Sequence, residues 1–511
     1  MPDTVPELLA LAAGRDPGGV WLRADDGHLT FASAAAAVAA LASRFADLGV
    51  RRGDLVVLTA RTTPPYALCF LAVASLGAVT VPTDPSATSA ERTGLLAQVA
   101  PRLLVSDPAV LGADPDGLAT GAQLGAVDLH ELLGDWGAAG TGTDSLRRDV
   151  APDDLLVLIP TSGTTGRSKL VMQTHRAYAW AGEGFPWWME LTSDDVMMTS
   201  LPLFHVNAPA YSVLGSLACG AGLALLPRFS ASGFLDSARR HGATQFNAIG
   251  AMLEMLARQP PREDDADTPL RLCYTGPSPA QDWQEAFESR FGLRVVCGYA
   301  MSESPYGTIW RHGTRPFGTL GSLRQHPRLG TINEGRVVDE DGAQVGVGGT
   351  GELLLRNPVL TPGYWRMPDE TAHVLVDGWL HTGDLVTVND DETFTFVSRV
   401  KEVIRRRGLN LSPAQVEEAI GAHPSVRECA VVAVPSELTE DEVKAFVVAE
   451  DGATLDFAEL RAFAADRLSA FKVPRFWQAV DALPRTPTAR VAKHQLPSGH
   501  PPEEYDADAA D

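Results

Sequence analysis

Short runs of consecutive apolar residues alternate, along the first part of the chain, with longer stretches of helical spacing. Ala34 to Leu48 is alanine-rich and predicts a helix, and Asp54-Leu55-Val56-Val57-Leu58 predicts a strand. Ala67 to Leu76 predicts a second helix and Ala78-Val79-Thr80-Val81-Pro82 a second strand. This βαβ rhythm calls for a parallel sheet covered by helices. Leu155-Leu156-Val157-Leu158-Ile159 is a further buried-strand run, and Asp194 to Ile249 repeats the α/β pattern. Residues 331–365 are more β-rich: Arg336-Val337-Val338, a turn at Asp339-Glu340-Asp341-Gly342, then Gly351-Glu352-Leu353-Leu354-Leu355. Residues 107–150, rich in Gly, Asp and Ala, predict loops and short elements, and Pro261 to Asp267 a solvated charged loop.

Near residue 400 the pattern changes. Phe394-Thr395-Phe396-Val397 alternates as a strand, Ser398 to Glu402 leads to three arginines, and Pro413 opens a helix that runs to Gly421. Cys429 to Val434 and Ala445 to Val448 predict strands. The expected organisation is a large domain over 1–398, a hinge at 399–402 and a small α+β domain over 403–511. Its acidic, proline-containing tail (497–511) is expected to be disordered.

Composition narrows the function classes. A chain of 511 residues is too long for one core. Its formal charge of −22 argues against nucleic acid as a partner, because a phosphate backbone needs a basic face. The sequence contains no apolar run long enough to span a membrane and no signal-peptide pattern at Met1-Pro2-Asp3-Thr4-Val5-Pro6-Glu7. Five scattered cysteines without a Cys-x-x-Cys pair suit a reducing cytoplasm and argue against structural zinc.

One segment carries chemistry directly. Pro160-Thr161-Ser162-Gly163-Thr164-Thr165-Gly166-Arg167-Ser168-Lys169 follows a buried strand, offers hydroxyls and glycine-exposed N–H groups, and ends on a cation. Those are the groups a polyphosphate needs around it. The spacing is not that of the common nucleotide loop, since the second glycine comes three residues after the first and the lysine six after.

The string resembles the phosphate loop of the adenylate-forming superfamily: acyl-CoA synthetases, nonribosomal adenylation domains and firefly-type luciferases. Ser168-Lys169-Leu170 stands where the family usually has Pro-Lys-Gly. Later motifs follow in the family's order as far as Leu496. The resemblance implies an α/β fold whose large N-terminal domain has parallel sheets and a distorted β-barrel, with a small mobile C-terminal domain. It implies ATP or acyl-AMP, Mg²⁺ and coenzyme A as ligands.

Carried over residue by residue, the resemblance assigns Thr161, Ser162, Gly163, Thr164, Thr165, Gly166 and Lys169 to the phosphates. In Gly298-Tyr299-Ala300-Met301-Ser302-Glu303 it implies that Tyr299 stacks on adenine, Ser302 meets phosphate and Glu303 holds Mg²⁺, a hard cation that prefers carboxylate oxygen. Thr275-Gly276-Pro277 occupies the adenine-edge loop, with Gly276 and Pro277 as contacts. Asp384, in His381-Thr382-Gly383-Asp384-Leu385, would accept both ribose hydroxyls. Arg399 would contact ribose and phosphate, and Lys401 would be the hinge pivot. The resemblance implies that His205 borders the acyl pocket and the path of the incoming thiol, and that Ala208, Gly250, Ala300 and Gly307 fall at or near that pocket, their small size leaving room for a bulky apolar acid. Trp187 and Trp188 either line an entrance or pack a helix. Gly408 would admit the pantetheine arm, with Arg405, Arg406 and Arg407 beside it for the phosphates of coenzyme A.

The last motif departs from the family. Pro484-Arg485-Thr486-Pro487-Thr488-Ala489-Arg490-Val491-Ala492-Lys493 puts Arg490 where the family has a lysine that touches carboxylate and α-phosphate during adenylation. A planar fork replaces a compact ammonium, which is not a conservative exchange. Lys493 is not expected to substitute, because on an extended segment it faces the other side. The expectation is an acyl-CoA ligase with weak or lost adenylation, supplied with acyl-adenylate by a separate enzyme. The alternatives are a complete ATP-dependent synthetase, transfer to a carrier-protein thiol, and an adenylate-binding protein without turnover.

Overall fold

The computed structural model describes residues 2–87, 89–107, 121–134, 136, 149–161, 169–276, 278–402, 404–406, 409–435, 441–468, 470–486, 490–497, 499–501 and 503–507. The chain divides into two compact units. One comprises Met1–Gly335, Leu355–Leu380 and Asp391–Thr393, the other Arg336–Leu354, His381–Asp390 and Phe394–Asp511.

Two sheets organise the first unit. Strands Ala126–Asp128, Leu103–Ser106, Leu55–Thr59, Val79–Thr83, Leu155–Thr161 and Lys169–Thr174 lie side by side in that order. All neighbours are parallel except the last pair. Leu55–Thr59 and Val79–Thr83 are buried at every position, as the unbroken apolar runs require of strands covered on both faces. The second sheet has nine strands, parallel through its centre from Arg294–Met301 to Val20–Ala24 and antiparallel at both edges. Helix Pro64–Ser75 is buried on all sides and packs on strands of both sheets. A helix that is apolar all round belongs in such an interior. Helix Phe31–Asp47 starts at Thr30, whose hydroxyl accepts the Ser33 N–H.

His175, the first residue of helix His175–Trp188, is fully buried. Burial pushes its imidazole down to about 4 from an ordinary 6.5, with Asp154 pulling upward and Arg52 downward. The folded state therefore binds this proton less readily than the unfolded chain, and stability falls as pH drops from 6.5 toward 4. The expected loss is about 3 kcal/mol across that window. Urea titrations at both ends of the window should show the unmodified protein losing that much more than His175→Gln.

Thr350–Arg356, Trp379–Val388 and Phe394–Arg399 contribute to a five-stranded half-barrel sheet, of which residues 350–354, 381–388 and 394–399 belong to the second unit. Beyond residue 400, the antiparallel strands Val426–Pro435 and Asp441–Ala449 join Phe476–Ala479 and Tyr505–Asp506 in a four-stranded sheet. Helices Pro413–Gly421 and Phe457–Ala465 accompany it, and Val416, Ile420, Val431, Val447, Leu460 and Trp477 share its core. Arg399 pairs in register with Asp384 in the half-barrel sheet.

Among the described residues of the tail expected to be disordered over 497–511, part is held in the fold. Tyr505–Asp506 adds a strand to Phe476 and Trp477, and Arg475 forks onto Asp506 at 2.9 Å through both Nε and Nη2. Lys444, fully buried, meets the Glu504 carboxylate at 2.5 Å and donates to the Gly499 carbonyl oxygen at 2.8 Å. A buried ammonium demands an anion, and that demand recruits a tail whose composition suggests solvent. Glu504→Ala is expected to destabilise the protein by roughly 3–5 kcal/mol. Lys444→Met with Glu504→Leu should recover most of that loss in a thermal melt.

Candidate active site

The first unit brings the cationic end of the phosphate-loop motif and the motif carboxylate onto one tyrosine. Thr161 and Lys169 face each other in register at the ends of two antiparallel strands. The Thr161 hydroxyl donates to the Lys169 carbonyl oxygen at 3.3 Å. Ser162, Gly163, Thr164, Thr165 and Gly166 lie outside the described residues, as does Pro277. The Lys169 ammonium pairs with Glu370 and stands 4.9 Å from the ring centre of Tyr364. The Tyr364 hydroxyl donates to Glu303 Oε1 at 2.8 Å.

Backbone pairing makes this arrangement possible. Residues 361–365 run along strand Lys169–Thr174, with Met172 N–H bound to the Gly363 carbonyl and Trp365 N–H to that of Leu170. Thr361 donates its hydroxyl to the Met172 carbonyl at 2.6 Å and its N–H to the Glu303 carbonyl at 2.7 Å. Gly363 has φ 131°, and a Cβ there would collide with Thr371. The buried Gln173 donates to the Ser302 carbonyl at 2.6 Å, fixing the residue before Glu303. Tyr364, Glu370, Thr361 and Gln173 were missed in the sequence. Their signal was Thr361-Pro362-Gly363-Tyr364, a turn feeding an aromatic residue, followed by a helix start at Pro368-Asp369-Glu370.

Gly276 closes strand Leu272–Thr275, and a Cβ on it would collide with the Gly298 carbonyl oxygen. Tyr299, half-buried on the next strand, donates its hydroxyl to Met301 Sδ at 3.6 Å. His205 lies against Phe204 with ring centres 4.6 Å apart, in a crevice also lined by Phe70, Pro82, Tyr178 and Pro209. Thr62 pins that loop, its hydroxyl donating to the Leu201 carbonyl at 3.0 Å.

The small residues assigned to the acyl pocket divide. Ala208, fully buried, opens a π-helical turn (Ala208–Val213), an irregularity frequent at functional sites. Gly250 opens a helix, and a Cβ there would meet nothing within 4 Å. Ala300 is half-buried. A Cβ on Gly307 would collide with the Tyr299 carbonyl oxygen, so the glycine allows close backbone packing there. Trp188 packs, donating to the Gln325 carbonyl at 2.7 Å, while Trp187 is 47% exposed beside His312.

In the second unit, Asp384 is 1% exposed and its Oδ1 lies 2.9 Å from Arg399 Nε. Glu352, also missed in the sequence, holds the turn before it by accepting the Gly383 N–H at 2.8 Å and bonding His381 Nδ1 at 2.9 Å. Lys401 belongs to the short 3₁₀ turn Val400–Glu402, and Arg405 pairs with Asn410 across a two-stranded ribbon. Arg407 and Gly408 lie outside the described residues. Arg406 corrects the expectation of a phosphate ligand. It is buried, ion-paired with Glu442 at 2.7 Å, and donates to the Val473 carbonyl at 2.8 Å.

Arg490 is exposed at the end of a turn closed by antiparallel pairing of Arg485 with Val491. The Thr486 N–H reaches the Arg490 carbonyl at 2.8 Å, and the Arg490 N–H reaches the Thr486 hydroxyl at 3.2 Å. Lys493 does not lie on an extended segment as expected. It starts a 3₁₀ turn, and its ammonium is held by Glu417 at 2.7 Å and Glu402 at 3.7 Å.

Residues 9–365 match the AMP-binding enzyme family and residues 415–490 its C-terminal domain. The chain belongs to that family. It is an acid–thiol ligase of the AMP-forming type. Crotonobetaine/carnitine–CoA ligase of Salmonella paratyphi C is 31% identical over 475 residues, covering 89% of this chain and 90% of its own. ATP-bound MatB from Rhodopseudomonas palustris superposes with a TM-score of 0.85 at 27% identity, covering 96% of this chain and 97% of its own. The o-succinylbenzoate CoA synthetase of Bacillus subtilis, in complex with its acyl-adenylate, shares the fold with a TM-score of 0.83 at 24% identity, covering 97% of this chain and 98% of its own. Among the described residues no helix is long and apolar enough to cross a membrane.

Proposed function

We propose that this ligase forms the CoA thioester of a small carboxylic acid mainly from the pre-made acyl-adenylate, its own adenylation of acid with ATP being slow. The observation that carries this reading is the Arg490 turn: an arginine at the family's lysine position, with the nearby Lys493 committed to Glu417 and Glu402. Adenylation needs a compact ammonium between two anions, which a guanidinium fork does not reproduce. Thioester formation has no such requirement. The thiol gives up its proton to water, its sulfur bonds to the acyl carbon, the carbon–oxygen bond to phosphate breaks, and AMP leaves with that electron pair.

Lys169 and the 162–168 loop would hold the phosphates, Tyr299 and Gly276 the adenine, and Asp384 with Arg399 the ribose. Glu303 would hold Mg²⁺. The fit is chemical, because Mg²⁺ takes one or two protein carboxylates and completes its shell with phosphate and water. Among the described residues no cluster of three potential ligands offers an all-protein cage instead. Bound there, the ion would neutralise phosphate charge. Alternation of the small domain about Lys401 would bring first the Arg490 turn and then the Gly408 loop to the acyl group. Coenzyme A would meet Arg405 and Arg407, with Arg406 serving the fold. All five cysteines are unpaired, which suits a cytoplasmic enzyme.

The test offers a panel of acids with ATP, and of synthetic acyl-adenylates, to the full chain with CoA. Thioester from adenylates but little from acids supports the reading. Equal yields from both support a complete synthetase. Tight adenylate binding without AMP release would leave only a binding protein.

A further inference from the structure

Arg324 is a fully buried cation whose partners among the described residues are all neutral. Its Nε donates to the Thr308 carbonyl at 2.9 Å, its Nη1 to the Tyr211 hydroxyl at 2.6 Å and the Pro305 carbonyl at 3.1 Å, and its Nη2 to the Tyr274 hydroxyl. The rings of Trp188, Tyr211 and Tyr274 surround the guanidinium carbon at 4.8, 5.0 and 5.4 Å. Tyr211 spends its own proton on the Pro305 carbonyl at 2.6 Å, which marks it as a phenol, and burial pushes both tyrosines above the usual phenol range. A guanidinium buried without an anion carries a desolvation penalty that an apolar residue would avoid. Four hydrogen bonds and three aromatic faces offset that cost without cancelling the charge.

The charge sits behind the strands assigned to the acyl pocket. Tyr211 belongs to the turn that Ala208 opens, and Tyr274 precedes Thr275 and Gly276. Arg324 Nη2 lies 2.9 Å from where a Cβ on Gly298 would stand, two residues before Ala300. Two extended residues span roughly 7 Å, which puts the charge within about 10 Å of Ala300. At that distance and an effective dielectric near 20, a second cation is disfavoured by roughly tenfold.

We propose that Arg324 makes this enzyme select acids whose far end is neutral or anionic and reject acids that carry a quaternary ammonium. An aromatic cage of this kind recognises alkylammonium groups, and here the protein's own guanidinium fills it. Arg324 acts through its field and through the residues it holds, as a positioning residue. The inference rests on the acyl-pocket assignment above, and it separates this chain from relatives named for crotonobetaine and carnitine.

The test compares two adenylates of one shape: that of crotonobetaine and that of its carbon isostere, 5,5-dimethylhex-2-enoate. Each is offered to the full chain with CoA, and kcat/KM is read for both. The unmodified enzyme is expected to favour the neutral isostere by roughly tenfold or more. Arg324→Met should shrink the ratio below about threefold, and Arg324→Lys, which keeps the charge, should preserve it. A purely structural role would lower both rates and leave the ratio alone. Equal or better use of crotonobetaine by the unmodified enzyme overturns the proposal, as does an unchanged ratio in Arg324→Met. If Arg324→Met fails to fold, the ratio in the unmodified enzyme decides. Calorimetric binding of the two adenylates gives the same ratio where no thioester forms, so loss of turnover and failure of this inference stay distinguishable.

Discussion

Ala489→Gly combined with Arg490→Lys raises acid-dependent pyrophosphate release by roughly 10²-fold or more, and leaves thioester formation from a supplied acyl-adenylate within a few-fold of the unmodified rate. The size follows from one preorganised charge contact in the transition state of adenylation, which is typically worth 10²–10³ in rate, roughly. Glycine at 489 restores the backbone freedom that the family motif has at that point. The turn that carries residue 490 is closed by backbone pairing of Arg485 with Val491 and of Thr486 with Arg490. Residue 490 takes part in that pairing through its main chain, which Arg490→Lys keeps, so the change is expected to act on chemistry and not on folding. Quench-flow measurement of pyrophosphate with a good acid checks the prediction. A gain below about threefold means that Arg490 already does the work of the lysine.

Glu303→Gln is expected to lower adenylation by roughly 10²-fold, because the neutral amide cannot hold a hard divalent cation as a carboxylate does. The loss should be larger with the overall ATP-dependent reaction than with a supplied adenylate, where no triphosphate needs neutralising. Tyr364→Phe tests the geometry behind this. It removes the hydroxyl that donates to Glu303 Oε1 at 2.8 Å but keeps the ring beneath Lys169. It should cost about tenfold in the same assay and raise the Mg²⁺ concentration needed for half-maximal rate. A Glu303→Gln enzyme with full pyrophosphate release would remove Glu303 from the metal role.

Much of the fold was legible because burial writes itself into period. The apolar runs at 55–58 and 155–159 and the Val-Thr-Val-Pro stretch at 79–82 became largely buried strands of one sheet, and Pro413 opened its helix as expected. The tail was misread because composition cannot show that Lys444, inside a strand, needs Glu504 and Gly499. Arg406 was misread for a similar reason. Three consecutive arginines look like a phosphate patch until a strand turns the second one inward onto Glu442. The motif residues Lys169, Glu303 and Asp384 were visible by their strings, whereas Tyr364, Glu370 and Glu352 were not. Their roles come from long-range pairing between distant segments, such as 361–365 along 169–174, which no local spacing records.

The most direct measurement takes one acid and its synthetic adenylate, one enzyme preparation, and two single-turnover rates. One is pyrophosphate release from acid with ATP. The other is AMP release from the adenylate with CoA. The second is expected to exceed the first by roughly two orders of magnitude. Pyrophosphate release as fast as AMP release, from the unmodified enzyme, contradicts a ligase specialised for the second step.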